Sequence, residues 1–142
     1  MRRLQDKVVI VTGGGGGIGT ATCKRFAAAG AKVAVFDVNG DAAKRTVAAI
    51  KAVGGVAGAF ACDITDYAGV QKAVNAVEAG LGPVHVLVNN AGWDVFRLFK
   101  DSTPAEWQKL IAINLTGALN MHHVVLPGML HARRVVSPHA SA

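Results

Sequence analysis

Apolar and polar positions recur along this chain with two different spacings. Short β-branched runs alternate with longer Ala-rich stretches of helical spacing, the pattern of successive β-α-β units and a parallel sheet. Val8-Val9-Ile10-Val11 is apolar without alternation and predicts a strand buried on both faces. Ile18 to Ala29 predicts a helix stopped by Gly30, a residue suited to a left-handed cap. Lys32 to Phe36 predicts a second strand, Asp41 to Val53 a helix closed by Gly54-Gly55, and Val56 to Ala61 a weaker third strand. A third helix follows from about Asp66 to Ala79. Gly80 and Gly82-Pro83 then punctuate the chain before a fourth strand, Val84 to Val88. Thr103, Pro104 and Glu106 spell the next helix start: N-cap, first helical position and capping-box partner. From there an apolar helical pattern runs toward Leu130, with a bend expected at Pro127.

A chain of 142 residues, 51% apolar and 17% charged, fits one folded domain and is far too hydrophobic to be disordered. Cys23 and Cys62 stand in no C-x-x-C or paired-ligand spacing. They argue against a disulfide scaffold or structural zinc, read as small buried apolar side chains, and suit a reducing cytoplasm. The uncharged stretch Leu110 to His131 is long enough to span a bilayer, but Asn114, Asn120, His122, His123 and Pro127 argue against it. Met1-Arg2-Arg3 resembles the start of a signal peptide, yet Val8 to Val11 is too short for its apolar region, so no export signal is expected. The net charge of +6 raises the question of nucleic acid. The cations are scattered as singles and pairs without interleaved aromatics, which reads as a solvated surface.

The chemistry concentrates at turns that follow strands. Thr12-Gly13-Gly14-Gly15-Gly16-Gly17-Ile18-Gly19 joins the first strand to the first helix, where free N–H groups and the helix dipole favour a bound phosphate. Glycines are needed there because a Cβ would keep the backbone off a pyrophosphate and the helix off the sheet. Two registers fit, Gly14-x-Gly16-x-x-Gly19 and Thr12-Gly13-x-x-x-Gly17-x-Gly19. Asp37 ends the second strand, where a carboxylate accepts from adenosine ribose hydroxyls and repels a 2′-phosphate, so NAD is expected over NADP. The bland alternative for Asp37 is a loop residue capping the next helix. Asp63 is open between an acceptor for the adenine amino group and a helix-start aspartate.

At this point the chain resembles the short-chain dehydrogenase/reductase family, from Lys7 to about Leu130. The matching residues are Thr12-Gly13 through Gly17-Ile18-Gly19, Asp37, Asp63-Ile64, Asn89-Asn90-Ala91-Gly92, and Asn114 within Ile113-Asn114-Leu115-Thr116-Gly117. Asn89 to Asp94 with Met121-His122-His123 looks most like the branch containing 2-hydroxycyclohexanecarboxyl-CoA dehydrogenases. The resemblance implies an α/β, Rossmann-type, doubly wound parallel sheet of order 3-2-1-4. It implies that Gly13, Gly16, Gly17, Ile18 and Gly19 cradle the pyrophosphate of NAD, Asp37 holds the ribose, Asp63 and Ile64 flank adenine, and Asn89, Ala91 and Gly92 line the cofactor floor. Asn114 would anchor a water of the proton relay through its main-chain carbonyl. The substrate would be a small secondary alcohol or ketone, such as an alicyclic hydroxyacyl thioester.

The family's base is a tyrosine whose phenol, titrating near 10 in water, is lowered by a lysine four residues on. The single tyrosine here is Tyr67, followed four residues later by Gln71, so it cannot be that base. Residues 1–134 read as the NAD-binding domain. Residues 135–142 read as a tail that departs from the family before its fifth strand, as a shortened or frame-shifted chain would, and neither Ser137 nor Ser141 is assignable to the family's serine. The fourth strand would then be an uncovered edge carrying Val84, Val86 and Val88, and the helix from Pro104 would expose a face that relatives bury at subunit contacts. Self-association, and no turnover by the chain alone, are the expectations. No metal is expected, since His122-His123 with His131 have no completing carboxylate. Trp93, Phe96 and Phe99 line a substrate mouth or pack loop on helix. Rival readings are a nucleotide-binding module without catalysis and a basic nucleic-acid binder.

Overall fold

The β-branched runs form strands and the Ala-rich stretches form helices, alternating as far as the fourth strand. A computed structural model of the chain describes residues 4–132, with β1 (Val8–Thr12), α1 (Gly17–Ala28), β2 (Lys32–Asp37), α2 (Gly40–Lys51), β3 (Val56–Ala61), α3 (Tyr67–Gly80), β4 (Val84–Val88), α4 (Pro104–Ile111) and α5 (Gly117–His131). The expectations for Met1–Arg3 and for residues 133–142, with Ser137, Ser141 and the tail, fall outside the described residues. All strand pairs are parallel, in the order β3-β2-β1-β4.

Because side chains alternate across a strand, β1 feeds two cores. Val8 and Ile10 pack with Val70, Val74 and Val77 of α3 and with Met121, Val125 and Met129 of α5. Val9 and Val11 face Cys23 of α1 and Val47 and Ile50 of α2. Helices thus cover both faces, and the carboxyl ends of all four strands emerge on one side. Gly30 closes α1 at φ +89°, the left-handed cap its sequence position predicts.

Strand β4 forms the sheet edge among the described residues, while its side chains pack inward on both faces. Val84 and Val88 are buried and only Val86 is half-buried. A register shift between Val8 and Val9 decides which core each of them meets: Val8 pairs with Val84 and Val9 with Val86. The extra residue, His85, accepts the Val8 N–H on Nδ1 at 3.1 Å. The bulge turns Val84 and Leu87 to the α3/α5 core and Val88 to the α1/α2 core.

The capping box at Thr103 and Glu106 is present, and Pro104 opens the helix. An irregularity not expected from the sequence precedes Pro127. The helix loosens into a π turn over Ala112–Thr116, then runs through Pro127 to His131. The span Pro104–His131 is long and apolar enough to cross a membrane by length and composition. Ala118, Met121, Val125 and Met129 on it are buried against the core, while Ile111, Leu115, Leu119 and Leu130 are exposed.

Candidate functional site

At the carboxyl ends of the strands lies an open cleft of about 1740 Å³, and all twelve residues singled out from the sequence line it: Gly13, Gly16, Gly17, Ile18, Gly19, Asp37, Asp63, Ile64, Asn89, Ala91, Gly92 and Asn114. A crevice in this place is where open α/β sheets bind ligands.

The glycines divide by what a Cβ would meet. At Gly19 it would strike the Gly13 carbonyl, at Gly13 (φ +64°) it would lie 2.9 Å from Ala91 Cα, and at Gly14 and Gly15 it would press into Val35 and Ala42. Those four let the turn, the strand ends and the helix pack closely. Gly16 and Gly17 differ: a Cβ on Gly16 meets only the Gly13 carbonyl at 3.5 Å, and one on Gly17 meets nothing within 4 Å. They leave open the mouth of α1, whose N-cap Gly16 has no side chain to bond the first amides and whose first turn carries no acid. By contrast, Asn39 caps α2 through the Ala42 N–H, with Asp41 in the first turn. Bare amides and an uncompensated dipole end are what an anion recognises.

Asp37 lies against this turn. Its Oδ2 accepts the Gly15 N–H at 2.9 Å and its Oδ1 the Asn39 N–H at 2.9 Å, so both the turn and the approach to α2 hold the carboxylate at the cleft. Asp63 adopts a turn role, its Oδ1 accepting from the Thr65 N–H at 2.9 Å and the Thr65 hydroxyl at 2.7 Å ahead of α3. The N-cap of α3 is Asp66. Ile64 is buried against Gly117, where a Cβ would come within 2.6 Å of it, and its carbonyl accepts from Asn120 Nδ2 at 2.9 Å.

The Asn89-to-Gly92 turn is tied to β1 by Thr12, whose Oγ1 accepts the Asn90 and Ala91 N–H groups at 3.1 and 3.0 Å and donates to the Val88 carbonyl at 3.4 Å. Asn90 Nδ2 donates to the Thr12 carbonyl at 3.0 Å. Asn89 is buried at 6% exposure, its amide 3.2 Å from His122 Nδ1. At the far end Asn114, within the π turn, bonds the Trp93 backbone twice, accepting its N–H and donating to its carbonyl, each at 2.8 Å. Lys109 Nζ sits 4.1 Å above the Trp93 ring. Trp93 lines the cleft, whereas Phe99 stacks on Trp107 at 5.3 Å and so packs loop against helix. Phe96 does neither, at 99% exposure.

Sequence reasoning missed the threonine hydroxyls of Thr20 and Thr46, which both donate to the Gly14 carbonyl, at 3.2 and 3.0 Å. It also missed the grip of Asn114 on Trp93. Isolated polar residues on helices carried no local signal for these long-range bonds. Cys62 lines the cleft beside Asp63, and burial, with Asp63 and Asp66 nearby, pushes its thiol up to about 11. Burial pushes Cys23 up to about 12. Both are therefore protonated, weakly nucleophilic thiols near neutral pH. Tyr67 does not line the cleft, and its hydroxyl is bonded to His123 Nδ1 at 2.8 Å. Among the described residues no group of three or more His, Cys, Asp or Glu is arranged to hold a metal ion.

Residues 7–136 match the short chain dehydrogenase family. The chain is 36% identical over 132 residues to 2-(S)-hydroxypropyl-CoM dehydrogenase 3 of Xanthobacter autotrophicus, covering 93% of this chain and 52% of that relative. Its fold superposes on NAD+-bound xylitol dehydrogenase with a TM-score of 0.90 at 31% identity, covering 94% of this chain and 52% of that one. A metagenomic short-chain oxidoreductase in complex with NADP gives a TM-score of 0.87 at 32% identity, covering 94% and 61%. The chain therefore belongs to the short-chain dehydrogenase/reductase family, a family of oxidoreductases, and it spans about half the length of the curated relatives it matches.

Proposed function

We propose that this chain is the NAD-holding half of an enzyme that moves a hydride between a small secondary alcohol or ketone and the nicotinamide. The observation that carries the reading is the Asp37 carboxylate, bonded to the Gly15 N–H at 2.9 Å beside the uncapped mouth of α1. The open faces of Gly16 and Gly17 and the free first amides of α1 suit a pyrophosphate, so the residues present fit a dinucleotide. Gly13 and Gly19 keep that turn close to the sheet, and Asp37 accepts from the adenosine ribose hydroxyls. Asp63 and Ile64 flank the adenine, while Asn89, Ala91 and Gly92 form the floor. A 2′-phosphate beside Asp37 would meet like charge, which favours NAD over NADP.

When bound, the nicotinamide supplies the site that accepts or gives up the hydride. Asn114 supports the proton path through its main chain, and its side chain keeps Trp93 at the cleft wall. The proton-abstracting tyrosine and its lysine do not come from these 142 residues, whose single tyrosine has Gln71 four positions on. The chain on its own therefore binds cofactor without turning over a secondary alcohol.

Fluorescence titration of the chain with NADH and NADPH tests this. NADH should bind more tightly by about tenfold or more, equivalent to at least 1.4 kcal/mol, and Asp37→Ser should close the gap. Equal affinities would overturn the NAD preference, and no binding of either would overturn the reading.

A further inference from the structure

The peptide that joins Gly14 to Gly15 is held on both of its sides. Its carbonyl, on Gly14, accepts from the hydroxyls of Thr20 on α1 at 3.2 Å and Thr46 on α2 at 3.0 Å, and its N–H, on Gly15, donates to Asp37 Oδ2 at 2.9 Å. In a planar trans peptide these two groups point in opposite directions, so hydroxyls on one side and a carboxylate on the other fix the plane between them. The hydroxyls lie 3.0 Å from one another, and when one donates to the other the second still donates to the carbonyl. The other acceptor within reach of Thr46, the Ala42 carbonyl, is farther away at 3.4 Å.

Packing supplies no substitute for these bonds. A Cβ on Gly14 would lie 2.7 Å from Val35 and one on Gly15 2.6 Å from Ala42, so neither position holds a side chain. Two glycines in succession leave the peptide between them free to turn over, because the reversed dihedral angles are open to both. Turned over, the Gly14 carbonyl would face the Asp37 carboxylate, negative end to negative charge, and Oδ2 would lose the donor that fixes it. The threonines oppose that reversal. Thr46 is 2% exposed, and its hydroxyl would be left buried without its bond to Gly14.

We propose that Thr46, supported by Thr20, is a positioning residue for the dinucleotide: by holding the Gly14 carbonyl it turns the Gly15 N–H onto Asp37 and so aims the carboxylate at the adenosine ribose. Asp37 lines the cleft and gives one acceptor site of each oxygen to backbone, Oδ2 to Gly15 and Oδ1 to Asn39, which leaves the other site of each for a pair of hydroxyls. The ribose part rests on the function proposed above; the hold on the peptide does not.

Two measurements on the full chain separate these parts. Amide hydrogen exchange of the ligand-free chain, resolved by NMR, reads the peptide. The Gly15 N–H should be protected in the unaltered chain. Thr46→Val, close in outline but without the hydroxyl, should speed its exchange about fivefold relative to the β1 amides, which report the whole sheet, and Thr46→Ser should restore it to within about twofold. Fluorescence titration reads the ligand. Thr46→Val should weaken NADH about fivefold, the scale of one net hydrogen bond, and leave NADPH within about twofold, with Thr46→Ser recovering NADH. Gly15 exchange unchanged in Thr46→Val, or as fast in Thr46→Ser, would overturn the proposal; so would equal weakening of NADH and NADPH, the mark of a damaged fold. Should Thr46→Val not fold, Thr20→Val at its half-buried position on α1 takes its place, with the same directions of change expected and the same results overturning the proposal. If the unaltered chain binds no NADH, the ribose part falls with the function on which it rests, and exchange at Gly15 still decides the hold on the peptide.

Discussion

The two ends of the cleft are built on opposite terms. At the glycine end, backbone meets backbone, and four of the glycines between Gly13 and Gly19 are pressed against neighbours that a Cβ would hit. At the Trp93 end the contacts are side chains on an exposed loop: Asn114 on the Trp93 backbone, Lys109 over its ring, Phe99 on Trp107. The first end owes its shape to the absence of side chains, which leaves a rigid mould for a group common to many ligands. The second owes its shape to polar clips in water, each worth little, and suits variation in what it admits.

That contrast is sharpest at Gly19 and Gly17. Gly19→Ala forces a methyl into the Gly13 carbonyl and should cost about 3 kcal/mol or more in urea denaturation, with cofactor binding lost. Gly17→Ala adds the same methyl where nothing lies within 4 Å. Its stability should stay within about 0.5 kcal/mol of the parent, or rise, because alanine restricts the unfolded chain. Its NADH affinity should fall nonetheless, since that open face is the site proposed for the pyrophosphate. Equal destabilisation by both variants would dissolve the distinction between packing glycines and ligand glycines.

At the other end, Asn114→Ala removes two bonds to Trp93 but from an exposed position, so about 1 kcal/mol should be lost in the same denaturation. A loss as large as that of Gly19→Ala would show this end to be as tightly moulded as the first.

The smallest effect near neutral pH, growing only in alkali, is expected from the thiol behind the glycine turn. Cys23, pushed up to about 12 from 9.0 by burial, stays protonated while its unfolded counterpart ionises. The stability it gives is full below the unfolded value and declines as pH rises through 9 toward 12. By about pH 10 the loss should be about 1.4 kcal/mol, and Cys23→Ala should flatten the alkaline limb of a stability-against-pH curve. A limb of unchanged slope would mean that the thiol is not desolvated.

What the chain disclosed in advance follows the range of the forces involved. The apolar runs marked β3 and β4 to the residue and β1 to within one, the strand running past Val11 to Thr12, a polar residue that lies buried. Thr103, Pro104 and Glu106 gave a helix start from three adjacent residues. The glycine turn and Asp37 were legible because close approach to a phosphate permits few alternatives. The bulge at His85 was not, since Val84-His85-Val86 alternates like an unbroken strand and only pairing with β1 exposes the extra residue. The π turn around Asn114 and its bonds to Trp93, 21 positions away, have no local signature either. Asp63 was left open, and its bonds to Thr65 are those of a turn.

Thr12 Oγ1 gives its single hydrogen to β4 and takes two N–H groups from the turn beyond it, so its bonding capacity is full. The two lips of the cleft, one growing from β1 and the other from β4, are thereby riveted at a single atom and travel as one body. Any adjustment of the gap between them must come from the loops outside that rivet, and a valine of the same outline at this position would leave two main-chain donors stranded.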